Sequence, residues 1–210
     1  MDAGGISKIE SIKKPFLWLG VIALLIAVAF SEPSVSRGES HTTAKLIGYT
    51  LITLAMLGRI WCAIYIDGYK NDQLIQDGPY SMCRNPLYLF SFVGVVGILI
   101  GIKAYLLLLI VIPIYWLYYF YVVTSEERRL VHIFGREFIE YRDRVNRFLP
   151  SLKHYWSRDT IEVNSRLIFR SIIRASFFMW SLVLIDIFDR IKLVEVNGKT
   201  IIPSLWTLPF

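Results

Sequence analysis

Two long apolar stretches decide what this chain can become. Residues 44–66, AKLIGYTLITLAMLGRIWCAIYI, and residues 104–124, AYLLLLIVIPIYWLYYFYVVT, each reach the length that a helix needs to cross a bilayer's hydrocarbon core, about 20 residues. Inside hydrocarbon every backbone N–H and C=O must be paired internally, and a helix does this within one segment. Both stretches are therefore expected to be membrane helices. The composition agrees, with 55% hydrophobic residues, 15% aromatic residues and a mean hydropathy of +0.49.

Three further apolar runs extend the pattern. Residues 15–31 follow Lys13 and Lys14. That run has the basic start and small residues, Ala27 and Ala29, of a signal peptide, but more spans follow, and it reads as a retained helix. Residues 87–101 are apolar but short, reaching about 24 Å as a helix. The GIKA turn at 101–104 then joins them to the 104–124 run, so a tight helical hairpin is expected. Gly97 and Gly101 are spaced for close helix packing, and Pro113 is expected to kink the second arm. Residues 167–188, interrupted by Arg170, Arg174 and Asp186, read as a fifth span. Arg59 sits inside the 44–66 run near its polar end and reads as a side chain that snorkels to the interface.

Past residue 124 the character changes. Leu130, Phe134, Phe138, Tyr141 and Val145 recur at helical spacing, while Arg128, Arg129, Arg136, Arg142, Arg144 and Arg147 populate the other positions. This predicts an amphipathic helix lying on the cytoplasmic face, ended by Pro150. The formal net charge of +6 gathers beside apolar runs. That is positive-inside patterning rather than a nucleic-acid surface. It places the N-terminus, the 67–86 loop and the 125–165 segment in the cytoplasm. Cys62 and Cys83 have no metal-ligand spacing and read as small fillers, and His41, His132 and His154 are scattered, so no metal site is expected.

The expected fold is thus an all-α integral membrane protein with about five transmembrane helices, including the hairpin, and one cytoplasmic amphipathic helix. Three regions are expected: an N-terminal helix and loop over 1–43, a core over 44–150, and a C-terminal extension over 151–210 with a further apolar helix.

Two polar segments stand out within the core. One is KNDQLIQDGPYSMCRNPLYL, residues 70–89; the other is SEERRLVHIFG, residues 125–135. A hairpin brings its own ends together, so Asn85–Tyr88 are expected beside Glu126 and Glu127. Together they offer carboxylates, an arginine, an amide, tyrosine faces and a Gly-Pro turn. Such a set suits a zwitterionic, partly cationic, partly aromatic ligand. Each piece alone has a plainer reading, as a turn, an aromatic belt or a solvated helix start. The conjunction at one membrane face favours a site.

The pattern Gly-Pro-Tyr, three residues, Arg-Asn-Pro, one residue, Tyr resembles the signature of the isoprenylcysteine carboxyl methyltransferase and phospholipid methyltransferase superfamily. The Glu-Glu pair followed by FG, a Tyr and RFLP resembles its second signature, and the resemblance covers roughly residues 44–150. It implies an integral membrane enzyme using S-adenosylmethionine. By position, Asp72, Gln73, Leu74, Ile75, Tyr80, Asn85, Pro86, Leu87 and Tyr88 would line the cofactor pocket. Glu126 would hold the cofactor's amino group with Glu127 supporting, and Arg84 would anchor its carboxylate or brace the loop. Asn85 stands where the family commonly has His and cannot act as a base at neutral pH. Val122 stands where the isoprenylcysteine enzymes have an Arg for the substrate carboxylate.

The expected activity is methyl transfer to a lipophilic or small acceptor bearing a carboxylate, amine or thiol, with the membrane lipid bilayer as the other partner. The rival readings are an NADPH-dependent membrane reductase of related architecture and a non-catalytic membrane protein that keeps the fold. The lack of an obvious His base favours an acceptor that is already ionised. Lateral entry of the acceptor is expected between the 44–66 and 104–124 helices.

Overall fold

The computed structural model describes residues 39–69, 72–192, 195–196 and 199–200. The expected span over 15–31, most of the 1–43 segment and part of the turn at 197–199 lie outside the described residues. The chain forms two compact units, Arg37–Ile185 and Met1–Ser36 with Asp186–Phe210. In the second, the description includes a two-residue antiparallel ladder that sets Glu195 opposite Thr200 and Val196 opposite Lys199. Every other element described is helical.

The first unit opens with α1, Glu39–Ile66, and continues through the short α2, Pro79–Met82, to α3, Pro86–Gly101. Then come α4, Tyr105–Phe134, α5, Arg136–Arg144, a 3-10 turn at Leu152–His154, and α6, Ser165–Lys192. Three helices are long and apolar enough to cross a membrane, at Thr42–Ile66, Leu107–Phe134 and Ser165–Ile187; α3 is apolar but shorter. Among the described residues the expectation of about five spans thus reduces to three long helices and one short one.

Proline sets two helix starts. Pro79 and Pro86 both stand at the first helical position, where a missing N–H costs nothing. Between α3 and α4 the chain turns over Lys103 in the left-handed region, φ 57°. The hairpin is therefore formed as expected. α4 runs unbroken through Pro113.

Glycine lets α1 and α3 pack backbone against backbone. A Cβ on Gly48 would stand 2.7 Å from the Gly101 Cα and from the Gly97 carbonyl, and one on Gly97 would stand 2.9 Å from the Gly48 carbonyl. No side chain can yield there, so the small residues fix the approach. Phe178 of α6 fills the space above Gly94, and Ile185 reaches toward Gly101. Leu167, at the other end of α6, lies near Gly68. α6 therefore runs parallel to α3 along the same layer.

The segment expected as one amphipathic helix is divided. Residues 125–134 continue α4, Gly135 breaks the helix at φ 53°, and α5 follows as a separate nine-residue helix. α4 has 30 residues, about 45 Å of helix, and this exceeds the roughly 30 Å hydrocarbon core. Its polar end therefore projects past the membrane. The apolar stripe is buried against the protein: Phe138, Tyr141 and Val145 form a core with Leu74, Leu130, Val131 and Phe134.

Candidate functional site

The loop before α3 is bolted to the segment after α5. Arg84 N–H donates to the Asn146 carbonyl at 2.9 Å, and Ser151 N–H donates to the Met82 carbonyl at 3.0 Å. The Arg84 guanidinium donates to the carbonyls of Arg142, 2.6 Å, and Val145, 2.5 Å. The Asn85 amide donates to the Arg147 carbonyl at 3.2 Å. The Tyr141 hydroxyl donates to the Tyr80 carbonyl at 2.7 Å.

Glu127 lies at the centre of this frame. Arg84 Nε approaches its Oε1 at 3.0 Å and Arg147 Nη2 its Oε2 at 2.5 Å. The carboxylate side chain is 9% exposed, so both oxygens are satisfied within the protein. Removing one partner from such a buried cluster costs about 3–5 kcal/mol, because a desolvated charge is left behind. Arg147 is also held over the faces of Phe120, 5.3 Å, and Phe148, 6.0 Å. Through these bonds Arg84 ties its loop to Glu127 and to the carbonyls at the end of α5, and it also lines a cavity beside it.

A second frame lies on the other side of the Gly-Pro turn. Arg158 makes a two-pronged pair with Asp77, at 2.6 and 3.0 Å, and Asp77 is 1% exposed. That pairing raises the Arg158 guanidinium above its ordinary value. Gly78 N–H donates to the Trp156 carbonyl at 2.8 Å, and Ser81 exchanges bonds with the Trp156 backbone. Tyr65 and Ser157 share a hydroxyl bond of 2.7 Å, and the Tyr69 hydroxyl donates to the Glu162 carbonyl. Residues 151–162 are a strap across the turn.

Between the frames lies a cavity of about 140 Å³. Ten of the twelve residues expected for the cofactor line it: Gln73, Leu74, Ile75, Tyr80, Arg84, Asn85, Leu87, Tyr88, Glu126 and Glu127. Asp72 and Pro86 do not. Asp72 is exposed in the turn after Tyr69, and Pro86 is buried as the first residue of α3. The remaining wall comes from Ile66, Arg129, Leu130, Phe134, Phe138 and Tyr141. Four of these belong to the apolar stripe whose period was legible in the sequence.

Two polar groups are set apart in the lining. Glu126, one residue from the clamped Glu127, meets the Tyr88 hydroxyl. The Tyr80 hydroxyl is buried and has no hydrogen-bond partner among the described residues. Burial holds it well above the ordinary phenol value, and burial raises Tyr141 as well, so both stay protonated donors. An unpaired buried hydroxyl costs about 1–3 kcal/mol unless a ligand meets it. The aromatic run 115–121 is split by its helix faces. Tyr115 and Tyr119 turn inward, where Tyr119 packs edge-on to Tyr88 at 4.6 Å, while Leu117, Phe120 and Tyr121 are exposed. No group of three His, Cys, Asp or Glu is placed to hold a metal among the described residues.

Long apolar helices, with the two polar signatures of the hairpin lining one cavity, define an integral membrane protein. Residues 43–137 match the family model described as phospholipid methyltransferase. The chain is 33% identical over 171 residues to the cobalt-zinc-cadmium resistance protein CzcN of Cupriavidus metallidurans, covering 78% of this chain and 79% of that one. It is 35% identical over 171 residues to the nickel-cobalt-cadmium resistance protein NccN of Alcaligenes xylosoxydans xylosoxydans, covering 81% and 80%. No solved structure matches. The chain belongs to the phospholipid methyltransferase family, within the isoprenylcysteine carboxyl methyltransferase-like superfamily of integral membrane methyltransferases.

Proposed function

We propose that the protein is a membrane-embedded methyltransferase that uses S-adenosylmethionine, with its cavity open to the cytoplasm and a lipophilic or small acceptor bearing a carboxylate, amine or thiol. The carrying observation is that both signature segments line one cavity, with Tyr80, Tyr88 and Glu126 all in its wall.

The residues present fit the cofactor. Glu126 offers a carboxylate to an ammonium group by charge-assisted bonds. Tyr88, Phe134 and Phe138 offer aromatic surface to a sulfonium and a purine. The Tyr80 hydroxyl is a buried donor without a partner among the described residues. Bound there, S-adenosylmethionine supplies a methyl group already activated by the positive sulfur. What remains for the chain is to hold and orient the reactants, and the clamp on Glu127 keeps the neighbouring Glu126 fixed for that task.

Among the described residues no histidine lines the cavity, and the Asn85 amide is committed to the Arg147 carbonyl. Asn cannot accept the acceptor's proton. An acceptor that is already an anion when it binds, a carboxylate or a thiolate, needs no base, and the lack of a histidine in the lining favours that class. The relatives' names tie those proteins to resistance against cobalt, zinc, cadmium and nickel; we extend that setting to this chain as the place where its methylated product is used.

The test is transfer of label. Purified protein, methyl-labelled S-adenosylmethionine and a lipid extract of the native membrane are expected to give labelled lipid-soluble product. The Glu126→Ala protein is expected to give none. Product formed equally by both proteins would contradict the reading.

A further inference from the structure

The strap and the residues that lead into it leave large apolar side chains uncovered. Leu149 is 74% exposed and Leu152 75%, and Tyr155 and Trp156 are half exposed. They follow one another along a single short stretch, which makes a patch rather than scattered singles. The backbone of the same stretch is tied to the protein. The Trp156 carbonyl accepts from Gly78 N–H at 2.8 Å, Trp156 N–H donates to the Ser81 hydroxyl at 3.2 Å, and Ser151 N–H donates to the Met82 carbonyl at 3.0 Å.

Ring contacts fix where the patch lies. Phe148, just before it, packs 5.1 Å from Trp116 and 5.3 Å from Tyr119 of α4. Tyr155 lies 6.4 Å from Trp61 of α1. Both tryptophans stand within helices long and apolar enough to cross a membrane. The stretch 148–156 therefore runs from the flank of one membrane helix to the flank of another.

The medium that meets it follows from two requirements. Apart from the 3-10 turn at Leu152–His154, residues 145–164 have no regular secondary structure. Irregular backbone does not face hydrocarbon, where its N–H and C=O groups would go unpaired. Exposed leucines and aromatic rings are equally ill placed in bulk water. The boundary between lipid headgroups and acyl chains meets both requirements, and Trp and Tyr gather there. Lys153, exposed in the middle of the patch, suits the same boundary, with its stem on apolar surface and its ammonium among headgroups.

We propose that residues 148–156 are an interfacial membrane seat. Leu149, Leu152, Tyr155 and Trp156 enter the headgroup–acyl boundary of a phospholipid bilayer, and the bilayer thereby holds the Gly-Pro turn that carries Tyr80 into the cavity wall. The seat does not depend on the methyl-transfer reading; its consequence for cofactor affinity rests on that reading.

The experiment uses the full chain in liposomes of phosphatidylcholine and phosphatidylglycerol. A nitroxide is attached at Leu149→Cys or Leu152→Cys. Cys62 and Cys83 are buried, and unsubstituted protein treated with the same reagent is the blank. Leu117→Cys, on the exposed face of α4, is the hydrocarbon reference, and Arg136→Cys, at the start of α5, is the aqueous one. Collision with oxygen, which partitions into lipid, is compared with collision with a water-soluble nickel chelate. At both strap positions the oxygen-to-chelate ratio is expected to lie well above that at Arg136→Cys and to approach that at Leu117→Cys. A ratio equal to that at Arg136→Cys puts the strap in water and overturns the seat. Low collision with both reagents, the sign of a covering protein surface such as a second copy of the chain, overturns it as well.

The link to the cavity is read from S-adenosylhomocysteine affinity in the same liposomes. Leu149→Asp/Leu152→Asp, which removes no buried packing, is expected to weaken binding severalfold, and Leu149→Ile/Leu152→Ile to keep the wild-type affinity. Equal affinity in the wild type and the aspartate variant overturns the link. Failure of the wild type to bind S-adenosylhomocysteine counts against the methyl-transfer reading, while the nitroxide labels still judge the seat.

Discussion

Arg84 Nε donates to Glu127 Oε1 at 3.0 Å, joining the loop that enters α3 to the far end of α4. The two residues are separated in sequence by the whole hairpin, and their bond closes it at the cavity. With Arg147 on the second oxygen, the carboxylate is held from both sides.

Breaking this clamp is expected to loosen both signatures at once. Arg84→Ala should destabilise the protein by about 3 kcal/mol, because Glu127 keeps its charge in a buried place. The double variant Arg84→Ala/Glu127→Gln should recover part of that loss. Unfolding of the four proteins of this cycle in detergent gives the coupling directly; strictly additive single effects would remove the clamp from the account.

The strap is tied down by one buried carboxylate. Arg158→Ala leaves Asp77 unpaired and is expected to cost roughly 1.5–3 kcal/mol, the value of a hydrogen bond to a charged group. Limited proteolysis should then cut within 151–162, next to the Trp156 and Ser157 attachments, faster than in the wild type. Identical cutting rates would mean that the strap is held by its backbone bonds alone.

Much of this is legible in the amino-acid sequence. Apolar length gave the membrane helices, and topology alone brought Glu126 and Glu127 to Asn85 and Tyr88. What periodicity could not supply was the identity of the covering surface. The stripe through Leu130, Phe138 and Tyr141 had the right spacing for a buried face, yet a lipid surface and a protein wall leave the same pattern, and here it packs on Leu74. Arg59 was misplaced for a similar reason. Its depth in α1 was visible, but the direction of its head depends on Ser91 and Leu87, a neighbouring helix away. Arg147 read as one of the charges of the amphipathic helix because its partner, Glu127, lies in another helix.

Helix packing supplies a steric prediction. Gly48→Val would push a branched side chain onto the Gly101 and Gly97 backbones, which cannot move aside. A loss of about 1–3 kcal/mol and a lower thermal midpoint are expected. Gly135→Ala meets nothing within 4 Å and should cost only the strain of its positive φ. If the two substitutions cost the same, close packing is not what holds α1 to α3.

Cys83 gives a pH signature. It is 1% exposed, and burial pushes its thiol up to about 11 from 9.0. The folded protein therefore holds the proton more tightly than the unfolded chain. Its contribution to stability is complete below pH 9 and is lost as pH rises toward 11. Alkylation at Cys83 should be slow in folded protein at pH 8 and fast after unfolding, read by mass spectrometry. Rapid native labelling would contradict the burial.

The most direct test of the central claim is calorimetric titration of S-adenosylmethionine and S-adenosylhomocysteine into the detergent-purified protein and its Glu126→Ala variant. The account predicts saturable one-site binding of both to the wild type, and its loss in Glu126→Ala with the thermal midpoint retained. Absence of binding to the wild type, or equal binding by the variant, would contradict it.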